Sequence, residues 1–164
     1  MEKIAIYYGS STGNTKDIAE LIAQKLETTH IFDVALAKAD FLEYDVLLFG
    51  TSTWGIGDLQ DDWEGFLNKV ESADLTGKKI ALFGCGDSVS YSDSFCDAIG
   101  KIYKAIKEKG CTIIGKFPID DYSFDASEAE VGGSFVGLPL DVDNESAQTN
   151  SRVNTWVEQL KTEI

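Results

Sequence analysis

Histidine, methionine and proline are almost absent from this chain, with one His, one Met and two Pro in 164 residues. With His30 as the sole imidazole, no Ser-His-Asp or Cys-His set is available, and no His, Cys and carboxylate cluster has metal-ligand spacing. The three cysteines, Cys85, Cys96 and Cys111, are odd in number and contain no C-x-x-C pair. They read as reduced, partly buried thiols and not as a disulfide frame or a metal site. No apolar run approaches the ~20 residues that cross a bilayer, and no basic stretch followed by an apolar segment opens the chain. The expected location is the cytoplasm. The phosphate-binding signatures G-x-G-x-x-G and G-x-x-x-x-G-K-[ST] are also missing, which argues against a nicotinamide dehydrogenase and against an NTPase.

Positive charge is scarce as well: 14 Lys and Arg stand against 28 Asp and Glu, a formal net charge of −14. Such a chain repels nucleic acid and anionic membranes, and its macromolecular partners are expected to carry basic patches. The plainer reading is that the charge only keeps the protein soluble.

What the chain does have is an apolar content of 43% arranged in alternating strand-like and helical segments. Ile4 to Tyr8 is a continuous apolar run, the mark of a parallel strand covered on both faces. Ile18, Leu21, Ile22 and Leu26 then recur at helical spacing, with Lys16, Asp17, Glu20 and Lys25 opposite them. A weaker strand is expected from Ile31 to Leu36, and strong buried strands at Asp45 to Gly50 and Lys79 to Gly84. The pattern predicts a helix with Trp63, Phe66, Leu67 and Val70, and another with Phe95, Ile99, Ile102, Tyr103 and Ile106. A fifth strand begins at Cys111, and the last helix is expected from Ser151 to Lys161 with Val153, Trp156, Val157 and Leu160 on one stripe. Five strands separated by helices imply one domain, residues 1–164, of α/β class: a doubly wound parallel sheet with helices on both faces. The stretch from Lys116 to Asn150 is too long for a structureless loop. Tyr122-Ser123-Phe124 and Ser134 to Leu138 read as short extended pieces around a turn at Gly132-Gly133, so an insertion at roughly 116–139 interrupts the fifth strand.

Three loops at the carboxyl edge of such a sheet are candidates for a site. Ser10, Ser11, Thr12, Gly13, Asn14 and Thr15 lie between the first strand and the first helix. Their N–H and O–H groups at the positive end of a helix dipole suit a phosphate, although a Ser/Thr cluster here also serves as an ordinary N-cap. After the third strand comes Thr51-Ser52-Thr53-Trp54-Gly55-Ile56-Gly57-Asp58, and after the fourth Cys85-Gly86-Asp87-Ser88-Val89-Ser90-Tyr91. Trp54 and Tyr91 each stand in a small-residue loop. They form two walls for a planar ring, or else each packs beneath its own loop.

These residues carry a resemblance to the flavodoxins of the long-chain subgroup that spans essentially the whole chain. The matching segments are Gly9 to Thr15, Thr53 to Trp63, Gly84-Cys85-Gly86-Asp87 with Tyr91 and Phe95, Asp97-Ala98-Ile99-Gly100, and Phe135 to Asn144. The resemblance implies a strand order of 2-1-3-4-5 with FMN at the switch point. It also implies a low-potential one-electron carrier working through semiquinone and hydroquinone states, not an enzyme. Ser10 to Thr15 would hold the phosphate without a Lys or Arg clamp. Trp54 and Tyr91, with Ser52 and Thr53 beside them, would sandwich the ring. Backbone groups of Cys85, Gly86 and Asp87 would meet its pyrimidine end, with Asp97 and Asp143 also at the cofactor. A flip of the Gly55–Ile56 peptide would offer a carbonyl to the reduced ring, and Asp58, Asp61, Asp62, Asp87 and Asp93 would disfavour its anionic form. Ser88, Ser94 and Cys96 depart from the family pattern, where amide side chains are common. The implied partners are ferredoxin-NADP reductase-type proteins and ferredoxin-dependent enzymes with basic docking faces, met by a monomer. A quinone reductase using NAD(P)H and FMN shares the fold and is the alternative; a phospho-receiver domain lacks its acidic pocket here.

Overall fold

The computed structural model describes residues 2–164. In chain order the elements are β1 (Ile4–Gly9), α1 (Asn14–Lys25), β2 (Ile31–Asp33), β3 (Val46–Trp54), β4 (Asp58–Leu59), α2 (Asp61–Ser72) and β5 (Lys79–Cys85). They continue with α3 (Asp97–Ile106), β6 (Thr112–Ile114), β7 (Phe117–Pro118), β8 (Glu130–Val131), β9 (Ser134–Phe135), β10 (Leu138–Leu140) and α4 (Ser146–Glu163).

The main sheet runs β2-β1-β3-β5 in parallel, and its next position is shared by two short strands. β6 pairs with Lys79 to Ala81 and β10 with Phe83 to Cys85, so both lie along the free edge of β5. The fifth strand is therefore one strand broken in the middle, and the expected order 2-1-3-4-5 holds. Ala5, Ile6, Val46 to Phe49 and Ile80 to Phe83 are buried, as continuous apolar runs demand of strands covered on both sides. Tyr7 and Phe49 pack against Phe66 and Trp63 of α2, whereas Phe83 meets Trp156 of α4. Residue 83 pairs with residue 50, one position out of phase with Phe49, so α2 and α4 cover opposite faces. α3 joins α2, and α1 joins α4.

The insertion is a small antiparallel sheet, β7-β9-β8. Its β8–β9 hairpin turns on Gly132 (φ 64°) and Gly133 (φ 89°), both left-handed, as a type I′ turn requires. The break in the fifth strand spans 115–137 and not 116–139, because Leu138 to Leu140 already pair with β5. Tyr122-Ser123-Phe124 form no strand. Their rings instead pack with Phe95 and Phe135, and the Tyr122 hydroxyl donates to Pro139 O at 2.6 Å. β2 stops at Asp33, whose carbonyl accepts from Leu36 and Ala37 in a turn. Phe95 precedes α3 because Cys96 takes a left-handed conformation (φ 53°) that breaks the helix between them. α4 begins at Ser146 and not at Ser151: its first turn is polar and gives no apolar stripe to read.

Candidate functional site

β1 ends at Gly9, where the chain passes so close to α2 that a side chain has no room. A Cβ there would stand 2.3 Å from Gln60 Oε1 and 2.6 Å from Trp63 Cδ1. Ser10 Oγ accepts from Gly13 N at 3.1 Å and shapes the following turn. Gly13, at φ 97°, occupies the N-cap position of α1 and supplies no side-chain cap. The first backbone bond of the helix runs from Asp17 N to Gly13 O at 3.0 Å. The N–H groups of Asn14, Thr15 and Lys16 thus lack backbone acceptors, the ordinary orphan donors of a helix start left uncapped. Thr15 Oγ1 is buried, and its approach to the Cys85 thiol, which eases ionisation of that thiol, falls short of a well-formed hydrogen bond. Such an orphan costs stability unless something fills it, about 1–3 kcal/mol.

Gln60 is a site residue that the sequence reading missed. It is buried, its Oε1 caps α2 by accepting from Asp62 N at 3.0 Å, and its Nε2 donates to Ser11 Oγ at 3.1 Å. One side chain therefore fixes both the start of α2 and the first loop. A Gln immediately before an acidic helix start was the available signal.

β3 runs on past the sheet edge and folds back through β4, pairing Thr53 with Leu59 and Trp54 with Asp58. Gly55, Ile56 and Gly57 form the tip, with left-handed φ of 52° and 84° at the two glycines. Trp54 Nε1 donates to Ser52 Oγ at 2.8 Å, and Thr53 Oγ1 accepts from Ala98 N at 3.2 Å. Ile56 projects into solvent at the tip, 86% exposed.

The loop after β5 is held by a buried carboxylate, Asp141, which the sequence reading also left unassigned. Asp141 accepts from Ser88 N (3.0 Å), from the Ser88 hydroxyl, and from the Asn144 backbone and amide. Asn144 Nδ2 in turn donates to Asp87 Oδ1 at 2.7 Å, and the same oxygen accepts from Val89 N and Ser90 N. Burial opposes ionisation of Asp87, but these donors outweigh it and hold the carboxyl below its ordinary value. Ser88 thus spends its hydroxyl on Asp141, and Ser94 and Cys96 are packed inside the loop. Burial pushes the Cys85 thiol up to about 11 despite Thr15, and raises Cys96 well above its usual range, so neither is a ready thiolate.

These three loops and Asp143 enclose a cleft of about 150 Å³. Of the expected residues, Thr12, Asn14, Ser52, Thr53, Trp54, Gly55, Cys85, Gly86, Asp87, Tyr91 and Asp143 line it, and Val142 joins them. Ser11 lines an adjoining depression with Trp54 and Asp61. Ser10, Gly13 and Thr15 build the helix start beneath. Asp97 is not in the cleft: its Oδ1 accepts from Glu128 N at 2.7 Å. Trp54 and Tyr91 remain 41% and 46% exposed, outside the aromatic cluster of Tyr7, Phe41, Phe49, Trp63 and Phe66. Two half-exposed rings, a row of unpaired N–H groups and an orphaned hydroxyl fit a flat ligand with an anionic tail.

The comparisons with known proteins agree. A family model described as Flavodoxin matches residues 6–156. The flavodoxin of Synechocystis sp. is 44% identical, over 98% of this chain and 97% of that one. Flavodoxin 1 of Escherichia coli is 42% identical, over 97% and 93%. A crystal structure of Fusobacterium nucleatum flavodoxin bound to flavin mononucleotide superposes with a TM-score of 0.94 at 29% identity, covering 100% of this chain and 99% of that one. With its sheet order, its broken fifth strand and these full-length matches, the chain belongs to the flavodoxin family.

Proposed function

We propose that this chain carries single electrons between redox proteins on a non-covalently bound FMN, as a carrier and not as an enzyme. The observation that carries the reading is the uncapped start of α1, whose Asn14 lines the same cleft as the half-exposed rings of Trp54 and Tyr91. FMN supplies reversible one-electron chemistry that no side chain of the cleft possesses.

In this reading Ser10 to Thr15 hold the phosphate with amides and hydroxyls. Gln60 keeps Ser11 in place, and Trp54 and Tyr91 cover the two faces of the ring. Backbone groups of Cys85, Gly86 and Asp87 face its polar end, while Asp141 and Asn144 stiffen that loop so the groups need no reorganisation. Gly55 keeps the tip free to reorient its peptide, since a left-handed φ of 52° costs glycine little. Asp58, Asp61, Asp62 and Asp93 add negative charge nearby, which lowers the affinity for a second electron. The whole chain, residues 1–164, acts as one such unit, a monomer in the cytoplasm. Its partners present basic faces, as ferredoxin-NADP reductase-type proteins and ferredoxin-dependent enzymes would.

The test is electron relay. FMN-loaded protein is added to ferredoxin-NADP reductase, NADPH and cytochrome c, and cytochrome c reduction is followed. Reduction that depends on this protein, together with no NAD(P)H oxidation by the protein alone, supports a carrier. Steady NAD(P)H oxidation without the reductase would contradict it and restore the quinone reductase alternative.

A further inference from the structure

The first turn of α3 lies between the insertion and the Trp54–Asp58 hairpin, and it grips both. On the insertion side, Asp97 Oδ1 accepts from Glu128 N at 2.7 Å, Phe95 N donates to Ala126 O at 3.2 Å, and Lys104 Nζ reaches Glu128 at 2.8 Å. The backbones also meet: a Cβ on Gly100 would stand 2.3 Å from Glu128 O. On the hairpin side, Ala98 N donates to Thr53 Oγ1 at 3.2 Å, and Lys101 Nζ lies 3.9 Å from Asp58. Gly57 rests directly on the Asp97 carboxylate, where a Cβ would come within 2.7 Å of Oδ2 and 3.0 Å of the Asp97 Cβ. One carboxylate thus has an oxygen on the insertion and an oxygen under the hairpin tip. It is not among the residues that line the cleft.

We propose that Asp97 is a positioning residue: by holding Glu128 N and the underside of Gly57 together, it sets how readily the Gly55–Gly57 tip rearranges, and so how far apart the two one-electron potentials lie. The proposal rests on the FMN reading above. Gly57 is buried and left-handed, so the tip moves only if its floor moves. The floor is fixed by a charge-assisted hydrogen bond to a backbone N–H of another element. The insertion therefore acts on the site without touching it.

The charged groups around Asp97 are Glu128 from the insertion, Lys101 and Lys104 from its own helix, and Asp58 from the hairpin beyond Lys101. Burial raises the Asp97 carboxyl above its ordinary value, and Glu128 adds to the rise while its N–H and the two lysines oppose it.

The test uses two variants, Asp97→Ala and the isosteric Asp97→Asn. In FMN-free protein, amide exchange of Gly57 and Asp58 is expected to accelerate about tenfold in Asp97→Ala, the scale of one charge-assisted hydrogen bond. Exchange in β1 and β3 should stay unchanged, and Asp97→Asn, which keeps an acceptor for Glu128 N, should stay within about threefold of the parent. In FMN-loaded protein, the gap between the two potentials is expected to narrow in Asp97→Ala and to survive in Asp97→Asn. Uniformly faster exchange, or an unchanged hairpin and an unchanged gap in Asp97→Ala, would overturn the proposal. A failure to bind FMN would sink the cofactor reading alone, because the exchange measurement needs no FMN.

Discussion

The two ends of the sheet make an instructive pair. The larger hollow, about 420 Å³, lies at the amino ends of the strands among Lys3, Lys25, Thr28, His30 and Lys161. The carboxyl end offers only about 150 Å³ between its loops. Size favours the first, but bonding separates them. At the amino end Thr28 Oγ1 donates to Ile4 O at 2.8 Å and accepts from His30 N, and His30 Nδ1 meets the Tyr44 hydroxyl at 3.3 Å. The last turn of α1 closes on itself through Leu26 N to Ile22 O and Thr28 N to Ala23 O. At the carboxyl end the first turn of the same helix leaves its donors open and Thr15 Oγ1 unpartnered. Between these two hollows, the open donors of the first turn of α1 and not the empty volume single out the carboxyl end.

The comparison breaks most easily at the ring walls. Trp54→Ala removes one face of the slot and should weaken FMN binding about 30-fold, from lost ring contact and stacking, with folding almost unaffected because the ring is half exposed. Fluorescence titration measures it; unchanged affinity would return Trp54 to a loop-packing role. Next comes the same substitution at both ends of α1. Thr15→Val should stabilise FMN-free protein by up to about 1 kcal/mol, because it deletes an unsatisfied buried hydroxyl. Thr28→Val should destabilise it by about 1 kcal/mol, because two bonds are lost. Urea midpoints decide, and equal signs would erase the distinction drawn here. Gly55→Val places a β-branched residue at φ 52°, a strain of about 1–3 kcal/mol. It should narrow the gap between the two one-electron potentials, and spectroelectrochemical titration would expose an unchanged gap.

The smallest effect concerns Asp87, whose folded carboxyl sits below its ordinary value. A depressed carboxylate contributes stability above the ordinary Asp range near ~3.9, and loses it as the pH falls through the depressed value. The stability difference between the parent and Asp87→Asn should thus be present at neutral pH and fade in acid. A difference independent of pH would mean that the carboxylate charge contributes nothing.

Most of this was legible in the residues because covered parallel strands are written as continuous apolar runs and the loops as clusters of Gly, Ser and Thr. The broken fifth strand was visible as excess length between Gly115 and the last helix and as short extended pieces around Gly132-Gly133. Its boundary at Leu138 depends on pairing with Phe83, a contact across the fold that no local pattern encodes. Phe95 fitted the helical stripe, yet a left-handed Cys96 separates it from α3, because packing fixed a conformation that propensity disfavours. Gln60 and Asp141 were missed for one reason. Each serves the site by bonding to loops distant in sequence, Ser11 and Ser88, and their residue types alone do not announce partners. Asp97, expected at the cofactor by family likeness, lies beneath the hairpin with its Oδ1 on Glu128 N and does not line the cleft.

The most direct test of the unsatisfied helix start is to titrate the parent and Thr15→Val with FMN and with riboflavin, which differ by the phosphate alone. The account predicts that the parent prefers FMN strongly, that Thr15→Val lowers FMN affinity about tenfold, and that riboflavin binds both proteins equally. Equal losses for both ligands, or none for either, would show that the orphaned hydroxyl does not meet the phosphate.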